Sequence, residues 1–473
     1  MPVDSTHAEY NVRVNQWRRC RDAYNGSDAI KASGEEYLPK LPNQDHQEYE
    51  AYKMRSLWYG ATYRTISGLA GAVTRKDPKL DVPQAMAPHL KDVTLTGTPA
   101  NVFVKDVISE VLMTGRFGIL VDMAEESLAG ALDTTRPYWV PFTAENIINW
   151  QTTIVGGAQV LTMVVLCEYV WVQAKSDDPF QSESAKQYRV LLLDEGEYKV
   201  HIHTPVKTGG FTIREIIPVL RGAPLTYIPF CFFGSGGLSV CPEKPPMLDL
   251  VDVNLSHYRS SADLEHGRHY TALPTPWVAG FPKETQLSIG SSIAWVSPDP
   301  QAHAGILEFT GQGLGALETA LETKEKLMAV LGARMLEGQK ASVEASDTLM
   351  VRSSGERSTL QSTALIVSLG LTRICRWHAM WMAAKDTEGI NAELNSDFIA
   401  QPLTSTELSA LVQAYQADAI SYETFYWNLQ RGEIARPDAT AEDERTLIET
   451  QAADRITDQA LLVGPPQQGV IPA

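Results

Sequence analysis

The sequence predicts an α+β fold rich in helix. Three observations predict it. Apolar residues recur at helical spacing on both sides of a block, about 137 to 233, that carries strand-type runs. A long polar stretch, GARMLEGQKASVEASDTLMVRSSGERSTL (332–360), also separates two apolar helical patterns. Helix connections ordinarily run about 2–8 residues, and structureless loops beyond about 12–15 are usually functional or disordered. This one requires a reason.

Length and composition, 473 residues with 44% hydrophobic and 21% charged, fit a soluble globular chain of about three domains. The formal charge of −17 argues against a protein that grips nucleic acid over its whole surface, while leaving transient contact open. From Asp386 onward there are 15 acidic and 4 basic residues, whereas the first 80 residues hold 12 basic and 10 acidic. The acidity is therefore C-terminal, in its plainest reading a solvated surface. Five scattered cysteines (Cys20, Cys167, Cys231, Cys241, Cys375) lack paired metal spacing and fit a reduced compartment. The most apolar run, VLTMVVLCEYVWV, contains Glu168, so neither a membrane span nor a signal core is expected.

In chain order, residues 5–30 and 46–74 read as helices with Arg and Lys among aromatics, the second ended by Pro78. FVKDVISEVLMTGRFGILVD reads as a helix stopped by Gly115, then a strand over Phe117 to Val121. VLTMVVLCEYVWV, QYRVLLLDEGEYKVHIHT and TYIPFCFF follow as strands divided by DEGE and GG turns. Pro245 and Pro246 open a helix running to about Tyr270. Residues 271–312, with five prolines, read as a small β-rich excursion with strands at PWVAG and SIAWV. A second helix runs from about Leu314 to Met335, and both helices should reach roughly 30–35 Å. After the polar stretch, Ser353 and Glu356 form a capping box for a longer helix striped by Leu360, Ala364, Val367, Leu371, Ile374 and Trp381. The acidic remainder is helical and ends in a loose tail.

Chemistry is sparse. GQGLG (311–315) follows no βαβ strand and lacks a following Lys-Ser or Lys-Thr, so it reads as a junction rather than a phosphate cradle. His257, His266 and His269 lie near one helix and His201 and His203 alternate on a strand, without acidic or Cys spacing to complete a metal set. Neither a nucleophile elbow nor a reactive-Cys context occurs. No catalytic residue, metal or cofactor is expected.

Four strings, YLPKLPN, YKMRSLWYGATYRTISGLAGAVTRKDP, LMTGRFGILVD and RPYWVPFTAENIINW, resemble one group of tailed-bacteriophage portal proteins, and the likeness continues to about residue 385. The resemblance implies a ring, usually of twelve subunits, at one capsid vertex, through which double-stranded DNA is packaged, retained and ejected. It implies the portal fold: wing (1–245), first stem helix (246–270), clip (271–312), second stem helix (313–335), channel loop (336–357), long wing helix (358–403), and an acidic helical crown with tail (404–473). It implies terminase large subunit, head-tail adaptor and major capsid protein as partners, and a virion location after assembly in the host bacterial cytoplasm, with no membrane.

On that resemblance the loop faces the ring axis. Lys340 and Arg352, with Gln339 and Ser342, are the DNA-channel candidates, against the plainer reading of a solvated loop. The loop's four acidic and three basic residues imply a weak hold on phosphate. Glu318, Glu322 and Glu325 on the second stem helix are either an exposed face with an intrahelical Glu322 to Lys326 pair or an inter-subunit or channel-facing set. Trp277 and Trp295 either meet a neighbouring subunit or pack locally. The rival readings are another head-tail ring adaptor, or a nucleotide-dependent hydrolase whose turnover would depend on Gly313 or His269.

Overall fold

The first 75 residues, expected as two long helices, form four: α1 (Ala8–Asn25), α2 (Ser27–Ala32), α3 (His46–Arg55) and α4 (Ala61–Val73). Gly26, at φ 91°, breaks the first pattern. Ser56 breaks the second, because its ψ of 142° leaves the helical region and brings Trp58 inward. The computed structural model describes residues 2–123, 136–175, 178–206, 210–272, 275–281, 295–307, 313–335, 358–384, 387–396, 398, 405–432, 434–436 and 439–462. They fall in two units, 1–396 and 397–473.

In the first unit a short strand β1 (Lys79–Asp81) precedes α5 (Ala100–Thr114). Gly115 ends α5 as the sequence predicts: its φ of 67° is left-handed and its N–H donates to the Val111 carbonyl, a geometry that disfavours a side chain. The chain then enters β2 (Arg116–Met123), β3 (Pro137–Thr143), β4 (Ile147–Val155), β5 (Ala158–Lys175), β6 (Asp178–Asp194), β7 (Glu197–Pro205), β8 (Phe211–Ile216), β9 (Val219–Leu220), β10 (Ala223–Pro224) and β11 (Phe230–Gly234). β4 to β8 form a five-stranded antiparallel meander, and β11, β2 and β3 a separate antiparallel sheet with β2 central. Two-residue hairpin turns fall on Gly156–Gly157, Glu195–Gly196 and Arg221–Gly222, all with positive φ, the geometry that follows the strand twist. Arg189 on β6 joins the sheets, donating to Glu168 at 2.7 Å and Asp122 at 2.9 Å.

Helix α6 (Leu248–Ala272), β12 (Thr275–Ala279), β13 (His303–Leu307) and α7 (Leu314–Ala333) follow, then α8 (Thr359–Trp381) and β14 (Asn391–Glu393), which pairs with β1. The apolar stripe of α8 is buried along its length, from Leu360 at 0% exposure to Trp381 at 8%. A Cβ on Gly370 would collide with the Phe233 ring of β11, so glycine sets the approach of α8 to the sheet. The capping box of α8 is Ser358 with Gln361, whose side chains bond each other's backbone N–H. This corrects the expected Ser353 and Glu356, which lie outside the described residues; both pairs satisfy the motif, and the extended Ser358 (φ −64°, ψ 158°) is the one adjoining the helix. The second unit holds α9 (Ser405–Gln416), α10 (Tyr422–Arg431) and α11 (Ala441–Leu462), with Tyr415 stacked on Phe425 at 4.7 Å. The α+β class predicted from the sequence is what the chain adopts.

One partly buried polar contact closes the α8 end. His89 Nδ1 lies 3.0 Å from His378 Nε2, so one ring donates to the other, beside the Trp139 edge. Burial, then His89, then Arg136 push His378 down to about 3. Unfolded, it would titrate near about 6.5, so the stability of the neutral form is complete above that pH and is lost as pH falls toward about 3. We expect stability to drop by up to about 1.4 kcal/mol per pH unit below about 6.5. Urea titrations at pH 7, 6 and 5 measure this, and His378→Leu should flatten the slope.

Candidate functional site

The sequence gives α6 and α7 one shared face. Leu314 packs where Gly267 has no side chain, its Cδ2 lying 2.6 Å from where a Cβ would be. Further along, Arg268 donates to Glu318 at 2.8 Å, Lys324 to the Ser256 carbonyl at 3.1 Å and Ser260 Oγ at 2.6 Å, and His257 Nε2 meets Glu325 at 3.3 Å. As the number on one helix rises, that on the other falls: the two are antiparallel neighbours. At about 1.5 Å per residue they are about 37 and 30 Å long.

The other face of α6 is locked onto the N-terminal helices. Asn254, fully buried, accepts from the Thr62 N–H and hydroxyl and donates to the Tyr59 carbonyl. Tyr52 donates to Asp263 at 2.7 Å, and Arg259 to the Tyr37 carbonyl at 3.0 Å. α7 joins at its C-terminal end, where a Cβ on Gly332 would approach Thr65 to 3.0 Å.

The polar segment begins and ends at this point. Leu360 N–H donates to the Met335 carbonyl at 3.1 Å, so the described residues on either side of 336–357 stand next to each other. Gln339, Lys340, Ser342 and Arg352 themselves lie outside the described residues.

Of the three glutamates, Glu318 pairs with Arg268, which also holds Glu265. Glu325 meets His257, which burial keeps below its usual pKa despite that carboxylate, so the pair is largely uncharged on the imidazole side at neutral pH. Glu322 is exposed, and no ion pair with Lys326 forms among the described residues. Lys324 is pushed down from its usual range by burial and then by Arg259.

Between the helices, β12 pairs with β13, Trp277 opposite Gly305. The indole covers that glycine, with Nε1 only 2.8 Å from where a Cβ would stand, yet remains 47% exposed. The expected second strand, SIAWV, is corrected: Trp295 and Val296 are in no strand and residues 292–294 lie outside the described residues. Pro298 and Pro300 follow closely and cannot donate to a ladder, whereas HAGIL can throughout. Trp295 thus lies outside the β12–β13 ladder that holds Trp277.

Residues 246–382 match a family model described as a domain of unknown function (DUF4055). The match runs from the residues before α6 to the end of α8. No curated protein matches the chain. Three solved structures are similar in chain course. One is described as the neck of an empty GTA particle computed with C6 symmetry, at 12% identity and TM-score 0.39, covering 86% of this chain and 98% of that one. Another is the virion of a native gene transfer agent (GTA) particle, at 12% and 0.37, covering 86% and 98%. A third is the neck of a native GTA particle computed with C12 symmetry, at 11% and 0.38, covering 85% and 98%.

Sequence reasoning missed His257, Arg268 and Lys324 as the partners across the pair. Their signal exists only once an antiparallel register is assumed, for then Arg268 and His257 fall opposite Glu318 and Glu325. The role of Gly267 is testable. Gly267→Val should destabilise the pair by about 1–3 kcal/mol through overpacking on Leu314. Gly267→Ala should be nearly neutral, because its helix gain of up to about 1 kcal/mol offsets displacement of one flexible methyl; thermal unfolding of both variants distinguishes them.

Proposed function

We propose that the chain is one subunit of a phage-type portal ring, a conduit for double-stranded DNA at a capsid vertex, without catalytic function. The observation that carries this reading is the block from α6 to α8. It consists of two antiparallel helices, a small hairpin between them at one end, and at the other a polar segment pinned at its base by Leu360 and Met335 before a deeply buried helix. The reading supplies a reason for each part. In it the helix pairs form the channel wall, residues 336–357 face the passing duplex, and the β12–β13 end receives the packaging motor and later the tail adaptor. The strings YLPKLPN to RPYWVPFTAENIINW, which resemble portal proteins, lie in the part that anchors α6.

The chemistry suits passage rather than capture. Lys340 and Arg352 would touch the DNA backbone, and Gln339 and Ser342 would offer neutral contacts. Every phosphate neutralised strengthens attachment by counterion release, so a loop with four acidic and three basic residues grips weakly. The acidic second unit would face packed DNA and discourage adhesion.

Negative-stain images of purified protein should show an annulus with a central hole; a uniform population of compact monomers would count against the reading. Deleting 338–354 should leave rings intact, since the base of the loop is held by its own hydrogen bond, while DNA packaging or retention falls. Loss of folding would oppose the loop assignment. Trp277→Ala and Trp295→Ala should lower the ring fraction in native mass measurements if the hairpin region is shared between subunits.

A further inference from the structure

The α6–α7 pair presents two flanks of unlike charge, and neither is balanced within the chain. On one flank Lys324 and Arg259 have no carboxylate within ion-pair distance among the described residues. Arg259 lines a cleft of about 260 Å³ together with Arg18, Arg19 and Asn15. The carboxylates there are already engaged: Glu36 by Arg18 and Asp252 by Arg19 at 3.0 Å. With Arg18 and Arg19 so paired, Arg259 is the guanidinium of the cleft that has no carboxylate within ion-pair distance among the described residues.

The opposite flank is acidic. Glu322 lies two residues from Lys324, about 200° around the helix. Near it stand Glu325, whose partner His257 carries little charge at neutral pH, and Glu318 and Glu265, which share the one Arg268. Lys326 is the other cation on this side. Between the flanks, on the side of α7 turned from α6, Leu327 and Val330 are 45% and 46% exposed.

We propose that the Glu322 flank of one copy seats against the Arg18, Arg19 and Arg259 cleft of the next, with Leu327 and Val330 covered at the contact. The inference rests on the ring reading and names the surfaces that make the ring. A second copy is the occupant because it alone supplies both complements: DNA would suit the cationic cleft but leave the Glu322 flank facing its own kind of charge. Flanks on opposite sides of one rod give a head-to-tail contact, the type that repeats and closes when its rotation divides a full turn. Charge fixes the register and excludes the reversed pairing, in which like flanks would meet.

Charge reversal tests this. Glu322→Lys and Arg259→Glu are both at exposed positions. Each alone should raise the concentration needed for ring formation by roughly tenfold or more, read by mass photometry at low ionic strength, where exposed charges are least screened. The double variant, and an equimolar mixture of the two single variants, should recover assembly. Far-UV circular dichroism and melting check folding. If a reversal unfolds the chain, Glu322→Gln and Arg259→Gln replace it, with a smaller expected loss. Wild-type rings with single variants that assemble equally well would overturn the pairing and leave the ring reading intact. So would single variants that fail and a double variant that does not recover. A wild-type chain that stays monomeric at every concentration would overturn both.

Discussion

The first unit depends on α8 reaching its slot. The core formed by α5, β2 and β11 stays open until a helix distant in sequence covers it, and Leu360, Val367, Leu371 and Ile374, all at 0% exposure, are that cover. The fit leaves no spare volume at Gly370, where the Phe233 ring occupies the space of a side chain. Once α8 is docked, the chain before it must end beside it, and the Leu360 to Met335 hydrogen bond marks where. Loop-closure entropy rises only slowly with length. The length of the segment between these two residues is therefore only weakly constrained by folding.

Docking α8 at one end of α7 also fixes α7, and through it the flanks of the pair. α6 acts as the spine. Its inner face is held by polar contacts of high geometric demand, above all the fully buried Asn254 bridging Thr62 and Tyr59. Such a residue adds little net strength but is costly to misplace, because a buried polar group without its partner loses about 1–3 kcal/mol. α7 is held more lightly. Met328 and Gly332 are the buried residues of α7 itself, and the cross-helix contacts of Lys324, Glu318 and Glu325 are polar and partly exposed. A helix of this kind owes its position to its two ends and to whatever lies outside it.

These features differ in how far the sequence revealed them. Gly115 was legible because a left-handed cap and a following apolar strand are local properties. So were the start of α6, where Pro245 and Pro246 leave little choice, and the apolar stripe of α8 from Leu360 to Trp381, whereas the cap of α8 was misplaced because Ser353 with Glu356 fits the same motif as Ser358 with Gln361. The hairpin was half legible: PWVAG overlaps β12 in all but its last residue, but SIAWV was expected as the second strand where HAGIL pairs. The splitting of the second expected helix was missed because helical periodicity passes through SLWYG without a breaker strong enough to notice; that of the first was missed because Gly26 passes for an interior helical glycine, whereas its φ of 91° ends α1. Cross-chain features could not be read at all. The His89 and His378 contact spans 289 positions, and the pairing of Arg21 with Glu110 and Glu145 brings together residues whose separation follows no pattern. In the candidate site, the glutamates were visible and their partners were not, because register between helices is a tertiary quantity.

Arg116 shows how the sheet sets the direction of the spine. It is 1% exposed, lies between the Trp150 and Phe232 rings at 4.2 and 4.7 Å, and donates through Nη1 to the Val240 carbonyl at 2.8 Å. Its Nε and Nη2 find no partner among the described residues, and burial pushes its pKa down to about 9. A buried cation without a carboxylate is a poor source of stability. It does, however, tie the segment after β11 to the sheet, and that segment leads through Pro245 and Pro246 into α6. Beside it Gly115 lets the Lys244 carbonyl come within 3.2 Å of where a Cβ would stand. Two side-chain choices that local stability disfavours, an unpaired arginine and a left-handed glycine, thus converge on the point where α6 departs. The angle of α6 decides which way its flanks face, and the proposed head-to-tail contact would tolerate little error in that angle.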